Sequence, residues 1–153
     1  MNDMVQFTAT GEEASQGHIY YGGGYKYQLR RNAVAESRIR PGKLINHPYF
    51  AISVDGVILV RQGYAWDGAS FIAVDDPGTI YASVFHDAGY QALRLKLLDE
   101  VWREELDLMY EALCDQGGVN RIRARAHYLA LRIGGGYYNS RPESDYPTRV
   151  APG

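Results

Sequence analysis

His86-Asp87-Ala88-Gly89-Tyr90 lies inside an apolar run, and reading that run as a helix decides the fold. On a helix, positions i and i+4 share a face, so His86 and Tyr90 point to one place. Asp87 is rotated by about 100° from His86 and addresses a different partner, such as a cation. Histidine is the side chain that changes charge near neutrality. Beside an oxygen ligand it makes the minimal kit for a base next to a metal.

The helix around this stretch has a clear start. Asp75-Asp76-Pro77 supplies an N-cap and a proline at the first helical position, which predicts a helix over about 77–96. Asp99 caps a second helix over about 100–115, closed by Gly117-Gly118. Asn120 caps a third, expected to end before Gly134. Upstream, the first third reads as strands. Segments 18–21 and 25–30 flank a glycine triplet as a hairpin, and runs 49–54 and 57–60 are joined by Asp55-Gly56, a strong hairpin signal. Strands first and helices after predict an α+β class, a small antiparallel β-sheet packed beside a three-helix unit. Residues 1–138 read as a single domain, and the Pro-, Ser- and charge-rich residues 139–153 as a C-terminal tail or arm.

Composition narrows the classes. At 153 residues, 46% hydrophobic and 22% charged, the chain is long enough to bury a core without staples. A net charge of −2 offers no global drive toward nucleic acid, and none is expected as a partner. The lone Cys114 excludes an intrachain disulfide. The N-terminus lacks the basic region and apolar core of a signal peptide, and no apolar run approaches the ~20 residues of a transmembrane helix. Work at a membrane would therefore take place at its surface. Tyrosine, with 13 copies, is the outlier. Two Tyr-Gly clusters, Tyr20-Tyr21-Gly22-Gly23-Gly24-Tyr25 and Gly134-Gly135-Gly136-Tyr137-Tyr138, suit contact surfaces because tyrosine offers large amphipathic area.

Two further segments bear on chemistry. Tyr64-Ala65-Trp66-Asp67-Gly68-Ala69-Ser70 leaves the last strand as a loop. Asp67 and the Gly68 carbonyl are oxygen donors of the kind Ca²⁺ prefers, and Tyr64 and Trp66 are candidate binding residues. In the second helix, Leu98, Trp102, Leu106, Met109 and Leu113 form an apolar stripe. At ~100° per residue Glu105 falls within it and Asp107 opposite. A carboxylate in an apolar stripe needs a partner, so Glu105 is the expected orienting group for His86 and Tyr90, with Asp107 as alternative. The third helix sets Arg121, Arg123, Arg125 and Arg132 around a seam of Ile122, Ala126, Leu129 and Ile133. Its arginines are expected to pair with Glu100, Glu104, Asp107 and Glu111 of the second helix. No Gly-x-Ser-x-Gly, P-loop or dinucleotide fingerprint occurs.

The order Asp67-Gly68-Ala69-Ser70, then Phe85-His86-Asp87-Ala88-Gly89-Tyr90-Gln91, then an acidic helix and an Arg-rich helix, resembles a family of small phage and prophage proteins over roughly residues 25–136. That resemblance implies a phage origin, with other phage structural proteins as partners and a place in the virion or the host cytoplasm. The same residues more distantly resemble the phospholipase A2 core, particularly its prokaryotic form. There the resemblance implies His86 as general base, Asp67 and Asp87 as calcium ligands, and Tyr90 sharing the orienting carboxylate, with host membrane lipid as substrate. Two functions stay open: a non-catalytic virion, tail or cell-entry component, and a calcium-dependent lipid ester hydrolase.

Overall fold

The computed structural model describes residues 4–23, 26–68 and 76–140, with the last six as backbone only. The α+β class holds. The chain divides into two compact units, with the boundary between Asp67 and Gly68. It therefore falls inside the stretch that leaves the last strand.

Among its described residues, the first unit is built of nine short strands in two sheets. Strands β1 (Met4–Phe7), β2 (Glu12–Gln16), β5 (Ala33–Glu36), β6 (Ile45–His47), β7 (Phe50–Ile52) and β8 (Val57–Val60) form a six-stranded sheet in the order β1-β2-β5-β8-β7-β6. The expected Asp55-Gly56 hairpin joins β7 to β8, in register Phe50↔Val60 to Ile52↔Ile58. All pairs are antiparallel except β2–β5, where Ser15 lies opposite Ala33. The sheet is thus larger than expected and mixed. Phe7, Ala14, Val34, Ala51 and Leu59 form its core cluster. The second sheet, β3 (Tyr21–Gly22), β4 (Tyr27–Leu29) and β9 (Ala65–Trp66), contains the expected Tyr-Gly hairpin, with Tyr21 opposite Leu29. Gly24 and Tyr25 lie outside the described residues.

Arg61, just after β8, fastens the larger sheet. Its Nη2 donates to Glu12 Oε1 at 2.7 Å and to Asn46 Oδ1 at 2.9 Å, joining β2 and β6. The Arg61 hydrogen bond is the main reason the Glu12 carboxyl is held down to about 2. Partial burial opposes it, and the Thr10 hydroxyl and the Arg61 charge add to it.

Among its described residues, the second unit holds three α-helices. Helix α1 (Pro77–Arg94) starts at the expected cap: Asp76 Oδ1 accepts from Thr79 N at 2.9 Å, and Thr79 Oγ1 accepts from Asp76 N at 2.9 Å. It ends in a Schellman motif, with Leu97 N bonded to Ala92 O at 2.9 Å and Lys96 N to Leu93 O at 3.0 Å. Lys96 occupies the left-handed position at φ 62°, where glycine is usual. Asp99 caps through Val101 N at 2.9 Å, but the first turn it opens, Glu100–Trp102, is 3₁₀. Helix α2 begins only at Arg103 and runs to Gln116.

Helix α3 (Arg121–Ser140), capped by Asn120 as expected, passes through Gly134-Gly135-Gly136 rather than ending before them. The expected stop rested on intrinsic propensity, about 1 kcal/mol per glycine. Extending a formed helix costs no new nucleation. Residues 139–140, expected to open the tail, are helical, and 141–153 lie outside the described residues.

The α3 seam is the other correction. The buried residues of α3 are Ala124, His127, Tyr128 and Leu131, whereas Ile122, Leu129 and Ile133 are 83, 51 and 88% exposed. His127 and Tyr128, with Ala124 and Leu131, occupy the inner face, so Ile122, Leu129 and Ile133 turn outward. The α3 arginines do pair as expected with α2, through Arg125–Glu111 at 3.0 Å and Arg132–Asp107 at 2.8 Å, joined by Arg121–Asp115 at 3.4 Å. Arg123 instead reaches Asp76 at the start of α1.

Candidate active site

Close helix approach positions the site. A Cβ on Gly89 would stand 2.3 Å from Leu106 Cδ2, and one on Gly78 would stand 2.9 Å from the Gly117 carbonyl oxygen. Glycine at these two points lets α1 and α2 pack backbone to side chain and backbone to backbone. The distance between the helices is then short enough for a histidine and an aspartate to meet.

They do meet. His86 Nε2 lies 2.8 Å from Asp107 Oδ1, and the Tyr90 hydroxyl donates to the same oxygen at 2.7 Å. The other oxygen, Oδ2, accepts from Arg132 Nη1 of α3 at 2.8 Å. Arg103, one turn before Asp107, brings Nη1 to 3.8 Å of Oδ2 and adds charge rather than a hydrogen bond. His86 is 5% and Asp107 0% exposed, so the pair sits away from bulk water. Burial alone would raise the Asp107 carboxyl. The hydrogen bond and charge of His86, then Tyr90 and Arg132, outweigh it and hold Asp107 ionised below the usual carboxylate range. Burial first, and the Asp107 charge second, push the Tyr90 phenol upward, so it serves as a donor only.

An ionised Asp107 fixes the tautomer. The Nε2 proton of His86 faces the carboxylate, which leaves the lone pair of the neutral ring on Nδ1. Among the described residues Nδ1 makes no hydrogen bond. That is the proton geometry of a general base backed by an orienting carboxylate.

The expected carboxylate, Glu105, is half-buried and does not hold His86; the alternative, Asp107, does. The stripe argument assumed one neighbour for the second helix. In fact α2 packs against both α1 and α3, and its buried residues are Leu106, Asp107, Met109, Tyr110, Leu113 and Cys114. The wider arc takes in Asp107. Arg103 was legible as an i, i+4 partner of Asp107. Arg132 was not, because it arrives from a third helix.

Next to the pair, the Tyr110 ring stands edge-on to His86 with centroids 5.4 Å apart. The Tyr110 hydroxyl lies 3.1 Å from His127 Nδ1. Burial, chiefly, pushes the Cys114 thiol up to about 11. Cys114 is therefore a packed thiol at neutral pH rather than a nucleophile.

The remaining candidates are scattered. Asp87 is half-buried on α1, and its charge adds to burial and Cys114 in raising the Tyr110 phenol. Asp67 closes the first unit and Gly68 opens the second. Ala69 and Ser70 lie outside the described residues. Among the described residues no three His, Cys, Asp or Glu side chains gather as a metal site. Tyr64 and Trp66 are buried, and Trp66 packs against Tyr27 and Tyr21 at centroid distances of 5.8 and 6.3 Å. Of the first Tyr-Gly cluster, Tyr21 thus packs edge-on against a buried tryptophan. No described helix is long and apolar enough to cross a membrane.

Comparison with protein-family models, with curated proteins and with solved structures returned no match.

Proposed function

We propose that the helical unit is a hydrolytic site of phospholipase A2 type, with His86 as general base and a lipid ester as substrate. The observation that carries this reading is the three-way junction on Asp107. One oxygen is shared by His86 Nε2 and Tyr90, 2.8 and 2.7 Å away, and in the neutral ring the lone pair then falls on Nδ1. His86 takes a proton from water at Nδ1 and Asp107 stabilises the resulting imidazolium, an assistance typically worth ~10²–10⁴-fold in rate. Tyr90 and Arg132 keep the carboxylate from rotating away. Calcium, the cation that the family resemblance implies, would polarise the ester carbonyl. Asp87 is the residue of this unit that would hold it.

The test is hydrolysis of mixed phosphatidylcholine–phosphatidylglycerol vesicles, followed by fatty-acid release with and without calcium. The expected result is calcium-dependent release that falls at least ~10²-fold in His86→Gln and loses its calcium response in Asp87→Asn. Release unchanged in His86→Gln, or no release at millimolar calcium, removes the hydrolase reading.

A second reading, a phage virion or assembly component in which the His86–Asp107 junction is purely structural, is favoured by one observation. Ile122, Leu129 and Ile133 of α3 face outward instead of into the core.

A further inference from the structure

Asp107 and Tyr110 stand three residues apart on α2, which sets both on one face of the helix. Both meet His86. Asp107 does so through the 2.8 Å hydrogen bond at Nε2, and Tyr110 through a ring inclined at 72° to the imidazole, with centroids 5.4 Å apart. Each is in turn held from α3, Asp107 by Arg132 Nη1 at 2.8 Å and Tyr110 by His127 Nδ1, 3.1 Å from its hydroxyl. The site thus has a second arm built like the first, and the action of the base described above uses only the first.

The second arm supplies what the first lacks. The torsion that turns an imidazole about its Cβ–Cγ bond is broad and soft. The Nε2–H bond makes a shallower angle with that axis than the Nδ1 lone pair, which points nearly across it. A swing of the ring plane therefore strains the hydrogen bond to Asp107 little while turning the lone pair away from a water to be deprotonated. Two rings oppose the swing. Tyr90 lies along the imidazole, tilted by 34° at a centroid distance of 4.2 Å, and Tyr110 crosses it in the edge-on arrangement that aromatic pairs favour.

Tyr110 must itself be held to do this. It is buried, and a buried hydroxyl is costly without a partner, a need that phenylalanine would not bring. Here the hydroxyl is tied to buried His127. Burial first, and the Arg123 charge second, lower the His127 pKa against the charge of Asp76, so that ring is neutral near pH 7. The tie is therefore an uncharged pair inside the helical unit. We infer that Tyr110 and His127 are positioning residues for His86: Tyr110 sets the plane of the imidazole, and His127 holds Tyr110 from α3. The consequence rests on the hydrolase reading, because the direction of the lone pair matters only to a base.

The experiment takes two readouts from the full chain. Nitrogen-15-edited NMR reports the tautomer and line width of the His86 ring. Fatty-acid release from phosphatidylcholine–phosphatidylglycerol vesicles with calcium reports kcat, and the urea midpoint verifies each fold. The wild type is expected to show one sharp His86 ring in the Nε2–H form. Tyr110→Phe keeps the ring and loses the tie, and His127→Leu removes the tie from the other side. Each is expected to broaden the His86 signals and to lower kcat by ~10-fold or more, with the half-saturating lipid concentration unchanged. His127→Asn sets an amide where Nδ1 stands and is expected to recover both. His86 signals and a rate identical to wild type in Tyr110→Phe and His127→Leu overturn the inference, as does a change in one readout without the other. Loss of both in all three variants, His127→Asn included, in step with the urea midpoint assigns the pair to packing and also overturns it. A wild type that releases no fatty acid removes the hydrolase reading, and the ring signals, read without substrate, then decide alone whether Tyr110 and His127 fix the imidazole.

Discussion

Arg132 of α3 donates to Asp107 Oδ2 at 2.8 Å, on the side of the carboxylate opposite the oxygen that holds His86 and Tyr90. One buried aspartate on α2 thereby joins all three helices. Its charge is shared among an imidazole, a phenol and a guanidinium, and the cost of burying it is met by hydrogen bonds to both oxygens.

Removing that carboxylate leaves three polar groups without their common acceptor. Asp107→Ala is expected to destabilise the helical unit by about 3–5 kcal/mol, read from the urea midpoint of unfolding. Glu105→Ala, two residues away at a half-buried position, should cost less than about 1 kcal/mol. Equal losses would show that the junction does not distinguish the two acids.

Acid should weaken the first unit before it reaches the range of ordinary unfolding. Glu12 has its pKa lowered from 4.5 to about 2, mainly by the Arg61 hydrogen bond. A depressed carboxyl binds protons more readily when unfolded, so its stabilisation is complete above about pH 4.5 and is lost as pH falls toward 2. The slope of stability against pH in that window should flatten in Arg61→Met. An unchanged slope would assign the acid sensitivity to other carboxylates of the unit, Asp55 among them, held low mainly by the Ser53 hydroxyl.

Gly89 tests the helix approach. In Gly89→Ala the new methyl meets Leu106 Cδ2 at 2.3 Å. Alanine gains about 1 kcal/mol in helix propensity, but overpacking a buried leucine costs about 1–3 kcal/mol, so a net loss is expected. In a Leu106→Ala background the same change has room and should become neutral or stabilising. A double-mutant cycle measures this sign reversal, and its absence would show that α2 is free to shift.

Lys96 marks a site where the backbone is strained. A left-handed conformation costs a non-glycine residue about 1–2 kcal/mol, and Lys96 holds φ 62° in the turn that ends α1. Lys96→Gly relieves it. After the entropy of a freer unfolded chain is subtracted, thermal unfolding should register a gain of roughly 0.5–1 kcal/mol. No gain would mean that the lysine stem packs well enough to offset the strain.

Local chemistry was legible in the chain itself. Asp76-Pro77, Asp99 and Asn120 marked helix starts because a cap needs only neighbouring N–H groups. Asp55-Gly56 marked a hairpin because a turn is a four-residue event. The His86–Tyr90 pairing followed from the period of one helix. None of this reaches across elements. Which acid met His86 depended on α2 being packed on two sides, which widened its buried arc from Glu105 to Asp107. The arrival of Arg132 at Oδ2 depended on the placement of a third helix. The parallel β2–β5 pairing joined strands whose backbones carry no record of their partner. The outward turn of Ile122, Leu129 and Ile133 was likewise decided in three dimensions. An aliphatic period names a face of a helix, and only packing determines whether that face or the aromatic one beside it is buried.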